Sequence, residues 1–201
     1  YYAPNEIDII EALAQRIEED YYGVEMQLVI RPHMVNLMAD RSDLSWLKRL
    51  KKLESERVKV DFPDSENSLL TWYMKKDDML RLSALLNGTK VCLNSGSTIA
   101  IEAVYLDKPV VLTPFDTDKW PYWCSARRLI DYIHLKKFVS TGACTVAENL
   151  NDMLQAIKRY LDSAELHRAE RKKAVELECY KNDGMATERF VENIEKILGS
   201  R

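Results

Sequence analysis

The sequence predicts an α/β fold: a Rossmann-like doubly wound parallel sheet with helices on both faces and a helical C-terminal tail. Short runs such as Val91-Cys92-Leu93 and Val110-Val111-Leu112 are apolar throughout, the mark of strands buried on both faces. They alternate with longer segments whose apolar residues recur at helical spacing. Beyond about Val146 only the helical period remains.

Asn5 can cap a first helix with Ile9, Ile10, Leu13, Ala14 and Ile17 on its apolar face, and Gln27-Leu28-Val29-Ile30 after Gly23 reads as a buried strand. The charged stretch from Ser42 to Glu56, with Leu44, Leu47, Leu50 and Leu53, reads as a surface helix. Val58 to Phe62, ahead of Pro63, is a short strand. A helix over about Asp77 to Leu86 follows, then a strand at Val91 to Leu93, a helix from about Ser97 to Leu106 and a strand at Val110 to Leu112. After an aromatic loop, a helix is expected near Ser125 to His134 and a last strand at Lys137-Phe138-Val139, before three helices between about Val146 and Leu198. With no internal repeat and no Pro/Gly-rich linker, residues 1–201 form one expected domain.

A formal net charge of −3 with dispersed Lys and Arg excludes the strongly basic face of a nucleic-acid binder. Four cysteines without a Cys-x-x-Cys pair or a nearby His indicate neither a zinc site nor a disulfide framework. No apolar run approaches the roughly 18 residues needed to span a bilayer, and Tyr1-Tyr2-Ala3-Pro4 lacks signal-peptide anatomy. A cytoplasmic setting is expected.

The strand at Val91 runs into Asn94-Ser95-Gly96-Ser97-Thr98 just where a helix starts. Amides at a helix start lack partners, and glycine lets a ligand approach the backbone, so Ser95, Gly96, Ser97 and Thr98 are the candidate phosphate-binding group. A plain hydroxyl cap explains the same residues. Glu102, one turn after Thr98, would face the same crevice and could accept hydrogen bonds from sugar hydroxyls. Arg31 and His33 follow the first strand and would emerge at the same carboxyl edge. His134 and His167 read first as structural histidines. Asp183-Gly184 reads as an interhelical turn. The loop Asp116 to Trp123 concentrates aromatics that suit stacking on a base or sugar, docking on a membrane surface, or burial under the tail. Its carboxylates, Asp116 and Asp118, are too few for a hard-cation cage, so no metal is expected.

Taken together, Arg31-Pro32-His33, Asn94 to Thr98 with Glu102-Ala103, Asp107-Lys108-Pro109-Val110-Val111 and Phe115-Asp116 resemble the donor domain of GT-B-fold transferases. The pattern is similar to bacterial surface-polysaccharide glycosyltransferases and to CDP-glycerol glycerophosphotransferases. In the latter branch the paired hydroxyls follow Asp-Tyr; here Asn94-Ser95-Gly96 precedes them and Glu102 stands in the acidic place. The resemblance implies that His33, Ser97 and Thr98 contact the donor pyrophosphate; with Arg31, Ser95 and Gly96 they are the candidate phosphate-binding residues, and Glu102 and Asp116 are the candidates for ribose or sugar. The tail, with Tyr132-x-His134 and Asp183-Gly184-x-Ala186-x-x-Arg189, resembles polysaccharide-type members and makes His134 and Arg189 further candidates.

The implied function is transfer of a glycosyl or glycerophosphoryl group from a nucleotide-diphosphate donor to a glycan or lipid-linked acceptor. The donor is a substrate, and no cofactor is expected. The acceptor domain, the catalytic base and the first strand of the sheet are expected upstream, so that this chain alone would catalyse little. Peripheral association with the inner face of the membrane would suit such an acceptor. A nucleotide-sugar 2-epimerase or hydrolase of the same fold, and a non-catalytic interaction module, are the alternatives.

Overall fold

A computed structural model describes residues 6–37, 44–64 and 74–199. Helix α1 (Glu6–Glu18) leads to strand β1 (Leu28–Ile30), a 3₁₀ segment Met34–Leu37, α2 (Trp46–Lys52), β2 (Val58–Val60), α3 (Lys76–Gly88) and β3 (Cys92–Asn94). Then follow α4 (Ile99–Tyr105), β4 (Val110–Leu112), a 3₁₀ segment Ala126–Asp131, α5 (Ile133–Ser140), β5 (Thr145–Val146), α6 (Leu150–Asp162), α7 (Arg168–Cys179) and α8 (Ala186–Gly199). Asn5, expected as the first cap, and Ser42 lie outside the described residues.

The pairings among strands β1 to β5 are parallel. β1 pairs with β2, with Val29 opposite Lys59, and a second group has the order β3-β4-β5, with Leu93 opposite Val111. β4 shows why the short apolar runs behave as they do. Successive strand side chains point to opposite faces. Val111 accordingly packs with Ile9, Leu13 and Ile17 of α1 and Met153 and Ile157 of α6. Val110 and Leu112 pack with Ala103 and Val104 of α4, Phe138 of α5 and Ala174 of α7. Helices cover both faces, as predicted. The other side of α1, Ile7 and Ala14, packs with Ile30, Val58 and Leu50, so this one helix lies against both strand groups.

One expected element is wrong. Lys137-Phe138-Val139 is not a strand but part of α5, in which Leu135 and Phe138 are buried three residues apart. A short apolar run carries no period of its own, and burial at i and i+3 here decides for helix. The strand lies later, at Thr145–Val146, and the residues before α5 form a 3₁₀ segment capped by Ser125, whose Oγ accepts from the Arg127 amide.

The tail is fastened by Arg171, which is only 1% exposed. Its Nε donates to Asp107 Oδ1 at 2.9 Å and its two terminal nitrogens to the carbonyls of Leu166 (2.6 Å) and Ala164 (2.9 Å). Asp107, at φ 56, makes the turn between α4 and β4, so the fork ties α7 to the loop that feeds the central strand. His167 is structural: its Nδ1 lies 2.8 Å from the Tyr160 hydroxyl, which in turn meets Thr145 Oγ1 at 3.0 Å. Among the described residues no helix is long and apolar enough to cross a membrane.

Candidate donor site at the carboxyl ends of the strands

Because the strands are parallel, their carboxyl ends open on one edge, where ligands of such sheets bind. Arg31 leaves β1 there, Asp61 leaves β2, Asn94 to Thr98 leave β3, and Thr113 to Asp116 leave β4. The start of α1 reaches the same edge: Ser95 Oγ donates to Glu6 Oε1 at 2.7 Å, and Thr117 Oγ1 donates to Asp8 Oδ2 at 2.9 Å.

The β3–α4 loop is held at three points. Asn94 Oδ1 accepts the amides of Gly96 (3.1 Å) and Ser97 (2.8 Å). Gly96, at φ +130, presses against the 3₁₀ segment so closely that an added Cβ would stand 2.7 Å from Leu129 Cβ. Ser95 is held by Glu6. These ties correct the sequence reading in two respects. Two of the amides expected to face a phosphate are already taken by Asn94, and Gly96 is required by packing on Leu129. Beyond the ties, the chain turns into α4, with Ala100 N bonded to Ser97 O and Ile101 N to Thr98 O. The half-buried Ser97 and exposed Thr98 hydroxyls, and the amides of Thr98 and Ile99, have no hydrogen-bond acceptor or donor among the described residues.

A family model described as CDP-Glycerol:Poly(glycerophosphate) glycerophosphotransferase matches residues 64–196, more than half of the chain. The chain belongs to that family. It is therefore a transferase acting with a nucleotide-activated donor, CDP-glycerol, from which a glycerophosphoryl group is transferred. No curated protein and no solved structure matches it. The glycerophosphotransferase match takes in the β3–α4 loop, the elements from α3 to α7 and most of α8, and it starts after Arg31 and His33.

In this glycerophosphotransferase chain, Arg31 is engaged by two carboxylates. Its guanidinium pairs with Asp61 and with Asp78, whose side chain is fully buried. Asp78 also accepts the Asp64 amide at 2.9 Å and Arg81 at 2.7 Å. Burial would raise its carboxyl, but the bonds from Arg31, the Asp64 amide and Arg81 outweigh that and hold it below the usual aspartate range. Sequence reasoning missed this cluster because Asp78 sits in the first turn of α3, where an acid needs no further explanation. His33 lies exposed, and its carbonyl accepts the Asn36 amide.

The remaining candidates are dispersed. Asp116 is committed to its own loop: Oδ2 accepts from Ser125 Oγ (2.5 Å) and Oδ1 from the Ala126 amide (3.0 Å), which leaves Trp120, Tyr122 and Trp123 exposed beyond the anchor. Glu102 faces a groove of about 310 Å³ between α3, α4 and the end of α7, lined by Met79, Leu82, Tyr105 and Cys179 but by no residue of the β3–α4 loop. Burial raises its carboxyl above the ordinary range. His134 is exposed at the start of α5 and stacks on Tyr132, with centroids 6.1 Å apart. Arg189 closes the turn before α8 with two 2.9 Å bonds to Asp183, whose Oδ1 also accepts the Met185 amide, so the Asp183-Gly184 segment is an interhelical turn as read. A second hollow, of about 400 Å³ around Gly23, Glu56 and Arg57, adjoins the amino ends of β1 and β2, away from the loop. Among the described residues no group of three His, Cys, Asp or Glu could hold a metal.

Proposed function

We propose that the β3–α4 loop binds the pyrophosphate of CDP-glycerol through the Ser97 and Thr98 hydroxyls and the amides of Thr98 and Ile99, with His33 approaching from the β1 end. The observation that carries this reading is the division of labour in the loop. Asn94, Glu6 and Leu129 hold its inner side, and the donors that are left belong to Ser97, Thr98 and Ile99. Fixed donors cost no reorganisation when charge develops on the leaving group. In the reaction an acceptor hydroxyl attacks the glycerol-bearing phosphorus, its proton passes to a base, and the P–O bond to CMP breaks with the electron pair leaving on CMP. The role of these residues is to neutralise that leaving phosphate. The donor itself carries the group transferred, so no cofactor enters.

The same reading makes this domain one half of a GT-B pair, with the acceptor and the base on another domain and little turnover by residues 1–201 alone. Two features support it. Among the described residues β1 pairs only with β2 and β3 only with β4. Leu28 and Ile30 make the β1 bonds, and Cys92 and Asn94 the β3 bonds, so Val29 and Leu93 direct their backbone groups to sides of β1 and β3 that pair with no strand among the described residues, as a further strand would require. In addition, α8 buries none of its residues, and Phe190, Val191, Ile194, Ile197 and Leu198 form an exposed apolar stripe suited to another domain. The exposed Trp120, Tyr122 and Trp123 beside Lys119 support contact with the inner face of a membrane that carries a lipid-linked glycan acceptor.

Isothermal titration of CDP-glycerol against the full-length protein and its Ser97→Ala/Thr98→Ala variant tests the donor site. The expected result is at least tenfold weaker binding with little change in Tm. Unchanged affinity would remove the loop from the donor site.

A further inference from the structure

The tie between α1 and the loop differs from the other two. Asn94 and Leu129 belong to the same side of the molecule as the loop, within or next to the β3-β4-β5 group. Glu6 comes from α1, where its neighbour Ile7, with Ala14, packs on Ile30 and Val58 of β1 and β2. The 2.7 Å bond from Ser95 to Glu6 therefore ties residues 95–98 to the helix that bridges both strand groups, and through it to the group that carries Arg31 and His33.

Its chemistry is also unlike a surface contact. Asp8, two residues on, is exposed and pairs with Arg49 while accepting from Thr117. Among the described residues Glu6 pairs with no cation and its side chain takes one hydrogen bond, from Ser95, and burial raises its carboxyl above the ordinary glutamate range. What the carboxyl offers the loop is an acceptor for Ser95. A donor pyrophosphate held from both sides requires the two sides to keep a fixed separation, and a misplacement of about 1 Å can cost on the order of 10²-fold in rate.

We propose that Glu6 is a positioning residue of the transfer reaction: by accepting from Ser95 it sets residues 95–98 at the distance from the β1 end that the donor pyrophosphate spans. The inference rests on the donor-site reading above. Glutamine keeps an acceptor of the same length and should serve, whereas alanine should not.

The test uses full-length protein and steady-state transfer from CDP-glycerol, with Glu6→Ala, Glu6→Gln, Ser95→Ala and the double variant Glu6→Ala/Ser95→Ala. Glu6→Ala is expected to raise KM for CDP-glycerol about tenfold while kcat falls less. Ser95→Ala should match it, the double variant should be no worse than either single one, and Glu6→Gln should stay within about twofold of the parent. Additive effects in the double variant, equal losses in Glu6→Gln and Glu6→Ala, or an unchanged KM in Glu6→Ala would each overturn the proposal. If Glu6→Ala does not fold, Ser95→Ala and Glu6→Gln carry the same comparison. A raised KM in Ser97→Ala/Thr98→Ala with an unchanged KM in Glu6→Ala refutes the positioning role alone; unchanged values in both refute the donor site as well.

Discussion

Replacing Gly96 with alanine separates two reasons for a glycine in the β3–α4 loop. If the glycine serves only a ligand, the protein should fold as stably as before and lose donor affinity. The structure gives a different expectation. At φ +130 an L-residue is strained, by roughly 1–2 kcal/mol. The new Cβ would also stand 2.7 Å from Leu129 Cβ and 3.5 Å from a Leu135 methyl carbon. The first contact involves a Cβ fixed to its backbone and cannot be relieved by a rotamer change. Overpacking of this kind costs about 1–3 kcal/mol. The total of roughly 2–5 kcal/mol is a large part of the ~5–15 kcal/mol that stabilises a domain. At this chain length it corresponds to a fall in Tm on the order of 5–20 °C. Urea unfolding followed by circular dichroism, paired with CDP-glycerol titration of the folded fraction, measures both quantities. A Gly96→Ala protein within about 0.5 kcal/mol of the parent would refute the packing argument, whatever its donor affinity.

Other expectations follow from the buried charges. Asp78→Asn leaves Arg31 with Asp61 as its remaining carboxylate among the described residues and should cost about 3–5 kcal/mol in chemical denaturation. Because the Asp78 carboxyl is held below its unfolded value, its contribution is present above the ordinary aspartate range and is lost as pH falls through the depressed one. The acid limb of stability against pH should therefore flatten in Asp78→Asn, and an unaltered limb would count against the cluster. Arg171→Lys cannot reproduce the fork onto Asp107, Ala164 and Leu166. It should cost ~2–4 kcal/mol, less than a wholly buried pair because Asp107 stays partly exposed, and hydrogen exchange should speed up in α7. Equal exchange in the two proteins would show that the fork does not fasten the tail.

Much of the architecture was legible in the sequence because it rests on local periodicity. The runs at Val91 and Val110 are apolar throughout since both of their faces are covered, and α1 and α6 carry apolar residues at helical spacing. Lys137 to Val139 was not legible. Three residues cannot show a period, and the burial of Leu135 and Phe138 on one helical face exists only in the folded chain. The loop after β3 was likewise visible in its composition, although the division of its donors was not.

The sequence by itself determined the class of fold, the hydroxyl-rich loop at a strand end, and the family resemblance that the family match bears out. Tertiary structure alone decided which polar groups are free to act. Arg31 meets Asp78 across 47 residues, Ser95 meets Glu6 across 89, and Gly96 meets Leu129 through space. Such partners are set by how helices cross strands, and no spacing along the chain encodes them. A polar side chain at a strand end is the same letter whether it faces a ligand or is already satisfied; the neighbours that the fold brings make the difference.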